Sequence, residues 1–417
     1  MHTDLFERLS LNKPILRAIA EEGYLIPTEI QQVAIPEALA GKDILATAQT
    51  GTGKTAAFAL PMLQLLHERR TQGAAGIRAL ILTPTRELAQ QIGAAFDSYG
   101  RHLPLRTAVI LGGVPAGPQL KALRKSPDIL IATPGRLLDL MNQGYVRLGR
   151  VEMLVIDEAD RMLDLGFVRD VRKIVSQLPT SRQTMFFSAT LTAEIARLAS
   201  DMLRQPIHVA VSPPASVSGN ITQKVLFVER AQKLALLTSI LKNGSTGRTL
   251  VFTRTKHGAD RVMRQLSSHG ISAGSIHSNK SQGARERALS AFNRGTIKVL
   301  VATDIVARGI DVDGISHVIN YELPNDPESY VHRIGRTARA GAAGTALSFC
   351  DFQEVPMLRA IEKLTKCPLA TVDDHPFHAP TISSLHPGNS APRSPVAHRR
   401  SRPKSRMFRR GPRKRPS

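Results

Sequence analysis

Tryptophan is absent from the 417 residues and aromatic residues make up only 4%, which argues against a stacking platform as the main grip on nucleic-acid bases. Cysteine is nearly absent too. Cys350 and Cys367 form no spaced pair that would ligate a metal or build a disulfide framework, so a reducing cytosol is the expected setting. The thirteen histidines show no zinc spacing. No apolar run reaches the length of a membrane span, and Met1 to Arg8 lacks the basic-then-apolar order of a signal peptide. The expectation is a soluble cytoplasmic protein with no membrane partner. The other scarcity is acid: from His375 to Ser417 there are eleven Lys or Arg and no Asp or Glu, half of the chain's formal surplus of +22. Such an excess suits a polyanion, and nucleic acid ranks ahead of membrane because these basic residues follow no amphipathic helical pattern.

What is present is a phosphate cradle and a carboxylate site. Ala48-Gln49-Thr50-Gly51-Thr52-Gly53-Lys54-Thr55 lies between an apolar run, Ile44-Leu45-Ala46, and a helical stretch. Its glycines let backbone N–H groups approach phosphate oxygens, Lys54 can reach the β- and γ-phosphates, and the Thr55 hydroxyl can sit on Mg²⁺. Ala48 stands where the strict pattern has a first glycine. About a hundred residues on, Met153-Leu154-Val155-Ile156 delivers Asp157-Glu158-Ala159-Asp160. Asp157 at a strand's end can hold the same ion, and Glu158 can orient or deprotonate an attacking water. An acidic quartet is more often a solvated face, but its place after a buried strand favours an NTPase.

Near-continuous aliphatic runs at 44–46, 79–82, 108–111, 129–132, 154–156 and 184–187 alternate with helical stretches, which indicates a parallel sheet buried on both faces. Functional loops should gather at its strands' carboxyl ends. Residues 212–219, rich in Pro, Ser and Gly, read as a linker between a domain over 1–211 and a second over 220–372. The second has strands at 224–228, 249–252, 298–302 and 317–320 and no phosphate loop. The segment 373–417 loses all periodicity, and from His375 it carries eight Pro. It is expected to be a disordered basic tail that anchors nucleic acid without reading sequence.

His332-Arg333-Ile334-Gly335-Arg336-Thr337-Ala338-Arg339 places three arginines and a histidine within eight residues, after a helix start at Asp326-Pro327-Glu328-Ser329. Alone it could be a solvated basic surface. Beside an NTPase site without its own arginine, it can supply a guanidinium to the γ-phosphate.

The assembled motifs, from Leu5 to Leu369, resemble the DEAD-box RNA helicases of superfamily 2, and most closely their RhlE-like branch. The resemblance implies an α/β fold of two tandem RecA-like domains, ATP and Mg²⁺ as ligands, and RNA as partner, both single strands and short duplexes. Phe6, Gly23-Tyr24, Pro27-Thr28 and Ile30-Gln31 match the adenine-recognising Q motif, with Gln31 on the adenine edge and an aromatic near Tyr24 over its face. In this family the phosphate loop ordinarily begins with alanine. Mg²⁺ is implied on Thr55 and, through water, on Asp157. RNA backbone contacts are implied for Pro84, Thr85, Arg86, Gly112, Gly113, Thr133, Pro134, Gly135, Arg136, Arg254 and Thr303. Coupling of the nucleotide site to RNA is implied for Asp160, Ser188, Thr190, Gln282, Arg285, Arg308 and His332. Asp311 is implied to touch the ribose, and Arg336 and Arg339 the γ-phosphate. Ala338 stands where the family more often has glycine.

The activity implied is RNA-dependent ATP hydrolysis that locally unwinds short duplexes or remodels RNA–protein complexes, with an ATP-gated RNA clamp as the alternative. A small-molecule kinase would share the phosphate loop but would explain neither the second domain's arginines nor the basic tail. A monomeric core is expected, with ribosome-assembly or RNA-decay proteins as open partner classes.

Overall fold

The computed structural model describes residues 4–48, 51–69, 76–211, 221–243, 247–304, 312, 314–338 and 342–386. The strands of the first domain are β1 (Ile44–Thr47), β2 (Ala79–Leu82), β3 (Thr107–Ile110), β4 (Ile129–Ala132), β5 (Met153–Ile156), β6 (Gln183–Ser188) and β7 (Ile207–Ala210). They form one sheet in the order β3-β4-β2-β5-β6-β1-β7, with every pairing parallel. β2, β4 and β5 are buried at every residue because helices cover both faces. One face packs the helix Lys54–Glu68 through Phe58, Leu63 and Leu66, and the other packs Leu137, Ile174 and Leu198.

The second domain has β8 (Ile221–Phe227), β9 (Arg248–Phe252), β10 (Ala273–Ile276), β11 (Val299–Ala302), β12 (Ile315–Asn320), β13 (Gly344–Cys350) and β14 (Ala370–Thr371). Their order, β10-β11-β9-β12-β13-β8-β14, repeats that of the first sheet strand for strand. The expected two-domain α/β architecture of parallel sheets is therefore present.

The position of the tail differs from expectation. Residues 373–386, assigned to it above, pack on the second domain. Val228 bridges to His378, Ala379 donates its N–H to Phe227 O at 3.0 Å, and Ile382 is 2% exposed. His386 lies 2.6 Å from Glu362 Oε2 and its ring meets Phe227. Few apolar residues and abundant Pro and His hid this docking, which runs through rings and backbone bonds. The linker 212–219 and the rest of the tail lie outside the described residues.

Candidate active site

The phosphate loop leaves β1 through Ala48, which is 2% exposed and donates its N–H to Ser188 O at 2.9 Å. Gly51 and Gly53 have φ of +86° and +93°, the left-handed region. A Cβ on Gly53 would stand 2.5 Å from Gln31 Nε2 and 2.7 Å from Thr28 Oγ1, so only glycine fits. The helix Lys54–Glu68 starts directly after, turning its N-terminal N–H groups and dipole toward the loop. Lys54 is 6% exposed, and its Nζ finds no hydrogen-bond partner among the described residues. A buried ammonium without an acceptor is costly, and the cradle is built to receive an anion. Thr52 and Thr55 flank it, while Gln49 and Thr50 lie outside the described residues.

Asp157 leaves β5 wholly buried. Burial pushes its carboxyl up to about 6; Lys54 and the Glu158 N–H oppose the rise, while the charges of Glu158 and Asp160 add to it. A carboxylate in such a place calls for a cation. Oxygen donors from Asp157 and Thr55 fit a hard divalent ion such as Mg²⁺. Glu158 takes a left-handed backbone conformation, φ +51° and ψ +54°, at the cap of the short helix Ala159–Asp164. That conformation is uncommon outside glycine. Asp160 Oδ2 accepts from Ala189 N at 2.9 Å, Thr190 N at 3.0 Å and Thr190 Oγ1 at 3.3 Å, and Ser188 Oγ donates to Thr190 O. Asp160 and the Ser188–Thr190 turn thus form one hydrogen-bonded unit.

Gln31 is 4% exposed; its Nε2 donates to Gly53 O at 3.1 Å and its Oε1 accepts from Thr28 N at 2.9 Å. An amide keeps one more N–H and one more lone pair beyond these bonds. Tyr24 is 38% exposed, with its hydroxyl 2.8 Å from that of Tyr99.

In the second domain the helix Pro327–Ile334 is capped by Asp326, whose carboxylate accepts from Ser329 N at 2.9 Å, and it ends at Gly335. The arginines consequently have different surroundings. Arg333 is 1% exposed, forks onto Asp304 at 2.5 and 2.8 Å, donates to Asn320 and Glu322 O, and lies over Phe252. It serves the domain's own architecture. Arg336, past the helix end and 3% exposed, lines a cleft with His332 and Asp326 opposite Lys54, Glu158 and Arg161 of the first domain. Arg308, Asp311 and Arg339 lie outside the described residues.

The domains also meet beside this cleft. Arg285 Nη2 lies 2.8 Å from Glu87 Oε1, both side chains under one-tenth exposed. Gln282 Nε2 donates to Gln90 Oε1 at 3.4 Å, and Gln90 donates to Glu286 at 2.8 Å. Glu87, Gln90 and Glu286 escaped sequence reading because their partners are nearly two hundred residues distant; only their places beside Arg86 and Arg285 pointed to them.

A groove of about 510 Å³ runs past Pro84, Thr85, Arg86, Gly112, Thr133, Gly135 and Arg136, with Ser278 and Arg285 on the second domain's side. Pro134 opens the helix Pro134–Asn142 at its edge. Gly113, φ +68°, lets Arg86 lie flat against the backbone, since a Cβ there would come within 2.0 Å of the guanidinium. Arg254 and Thr303, for which RNA contacts are also expected, lie on the second domain outside this groove's lining. Arg254 Nη2 donates to buried Glu354 Oε1 at 3.1 Å, and Thr303, 7% exposed, sits at the end of β11 outside the groove lining. A carboxylate four residues from Cys350 captures Arg254, a pairing no local pattern announced.

A phosphate cradle, a buried carboxylate site and a guanidinium from a second domain of the same fold define a two-domain RecA-like NTPase. Residues 28–198 match the DEAD/DEAH box helicase family and residues 232–341 the helicase conserved C-terminal domain. The chain is 42% identical over 364 residues to the DEAD-box ATP-dependent RNA helicase CshA of Bacillus subtilis, covering 87% of this chain and 73% of that one. In structure it is similar to S. cerevisiae Dbp5 bound to RNA and ADP BeF3, with TM-score 0.79, 30% identity and coverage of 88% and 95%. It is similar also to Mss116p bound to ssRNA and AMP-PNP, with TM-score 0.81, 27% identity and coverage of 93% and 82%. The chain belongs to the DEAD-box ATP-dependent RNA helicases.

Proposed function

We propose that ATP hydrolysis is completed only when the two domains close over one RNA strand, and that closure strains the strand so that a short duplex comes apart. The observation that carries this reading is Arg336 of the second domain lining the same cleft as Lys54 and Glu158 of the first. Lys54 and the loop N–H groups bind the phosphates, Gln31 and Tyr24 hold the adenine, and Glu158 takes the proton of the attacking water. Arg336, with Arg339, steadies charge on the transferring phosphoryl oxygens. Thr55 and Asp157 would hold Mg²⁺, which when bound neutralises phosphate charge. The groove past Arg86, Gly112 and Thr133 suits a sugar–phosphate backbone, because N–H groups, hydroxyls and helix N-termini contact phosphates without reading bases. Separating each base-pair step costs roughly 1.4 kcal/mol, which closure must offset.

ATP turnover with and without single-stranded RNA tests this. RNA should raise the wild-type rate, and Glu158→Gln should lower the stimulated rate by about 10²–10⁴-fold, the range for a lost general base; rates equal in both proteins would overturn it. Release of a short duplex, as opposed to ATP-dependent retention, separates a helicase from a clamp.

The basic tail is proposed as a sequence-blind RNA anchor in a cytoplasmic, monomeric protein, with ribosome-assembly or RNA-decay proteins as the partner classes. The RhlE-like placement rests on the ordered motif set. Truncation after His386 should flatten the salt dependence of RNA binding by roughly 0.7 in log affinity per decade of salt for each phosphate that the tail had neutralised. An unchanged slope would reject the anchor.

A further inference from the structure

Glu158 has a task the local backbone does not perform for it. Its left-handed φ of +51° sets the direction of the side chain's departure, but the carboxylate accepts nothing from the backbone of the helix it precedes. Arg161, one turn on, donates from Nη1 to Glu158 Oε2 at 3.1 Å, and the two side chains are 5% and 8% exposed. The Arg161 N–H is itself held by Asp160 Oδ1 at 2.9 Å, so the arginine's backbone belongs to the unit that contains Ala189 and Thr190. Its side chain lines the nucleotide cleft beside Lys54 and Arg336.

We propose that Arg161 is the positioning residue for Glu158, holding in place the carboxylate that takes the water's proton. This rests on the base role given to Glu158 above. It predicts an effect on turnover more than on ATP binding, because the arginine's partner acts on water and the cradle is complete without it.

The test compares Arg161→Gln, Arg161→Lys, Glu158→Gln and the double variant Arg161→Gln/Glu158→Gln in the full-length protein, with ATP and single-stranded RNA. Arg161→Gln should lower the RNA-stimulated kcat at least tenfold while the KM for ATP stays within about twofold, and Arg161→Lys, which keeps a charge in reach, should recover a substantial part of that loss. In single turnover the double variant should be no slower than Glu158→Gln alone, since residues acting as a unit are non-additive. Wild-type kcat in Arg161→Gln, losses that multiply in the double variant, or a folded Arg161→Lys as slow as Arg161→Gln would each overturn the proposal. Should Arg161→Gln melt early, the Lys variant alone decides by the same kcat comparison. A Glu158→Gln protein that keeps RNA-stimulated turnover would remove the base assignment itself, whereas an inactive Glu158→Gln beside a fully active Arg161→Gln removes only the role of Arg161.

Discussion

Lys54 and Lys233 occupy matching places in the two domains and are in opposite states. Each opens the helix that follows the corresponding strand, β1 in one sheet and β8 in the other. Each is buried, at 6% and 2% exposure. Lys54 Nζ has no acceptor among the described residues, but Lys233 Nζ bonds Glu354 and lies 3.1 Å from Asp351, both just beyond β13. The second domain has supplied internal carboxylates where the first leaves room for a phosphate. One scaffold thus yields a binding site or a closed core according to whether its buried lysine is neutralised from within.

Exchanging each lysine should break this contrast in two different ways. Lys233→Ala leaves buried Asp351 without its cation and Glu354 with Arg254 alone, and should destabilise the second domain by about 3–5 kcal/mol, seen as a fall in Tm. Lys54→Ala removes a buried ammonium that has no hydrogen-bond partner among the described residues, so Tm should hold or rise while ATP turnover collapses. Equal melting losses in the two variants would contradict the difference in pairing. The next effect concerns Asp157. A carboxyl whose folded pKa is raised from 3.8 to about 6 favours the folded state below the lower value and loses that contribution as pH rises through the upper one. In the absence of nucleotide and metal, Asp157→Asn should therefore be more stable than wild type at pH 7–8, by at most about 3 kcal/mol, with the gap closing toward pH 4. A gap that stays constant across a pH series of melting curves would contradict this. The smallest effect lies in the arginine segment. Ala338 has φ +57°, a conformation glycine adopts without cost. Ala338→Gly should raise stability by ~0.5–1 kcal/mol after the unfolded-state entropy is counted, measurable as a shift in denaturation midpoint.

The strands that sequence made legible are those buried on both faces, such as Ala79–Leu82 and Ile129–Ala132, where aliphatic runs admit no other reading. β7 was missed because an edge strand with exposed His208 and Ala210 lacks that run, and β10 because Ala-Gly-Ser-Ile has little β-branching. The site divides similarly. Lys54, Asp157, Glu158 and Asp160 were legible because each chemistry is compressed into a few residues after one strand. The Glu87–Arg285 pair, the capture of Arg254 by Glu354 and the structural use of Arg333 depend on which strand ends become neighbours, and that information is spread over the whole chain. Ala338 was visible as a departure from the family, but its positive φ was not.

The docking of residues 373–386 decides where the molecule can be cut. β14 is two residues long, and β8 beside it is the longer strand whose backbone it shields together with Val228, His378 and Ala379. A fragment ending at Val372, the boundary suggested by composition, would uncover the apolar surface under Ile382 and an open strand edge. Such a fragment invites self-association in the test tube, whereas one ending at His386 keeps the edge covered.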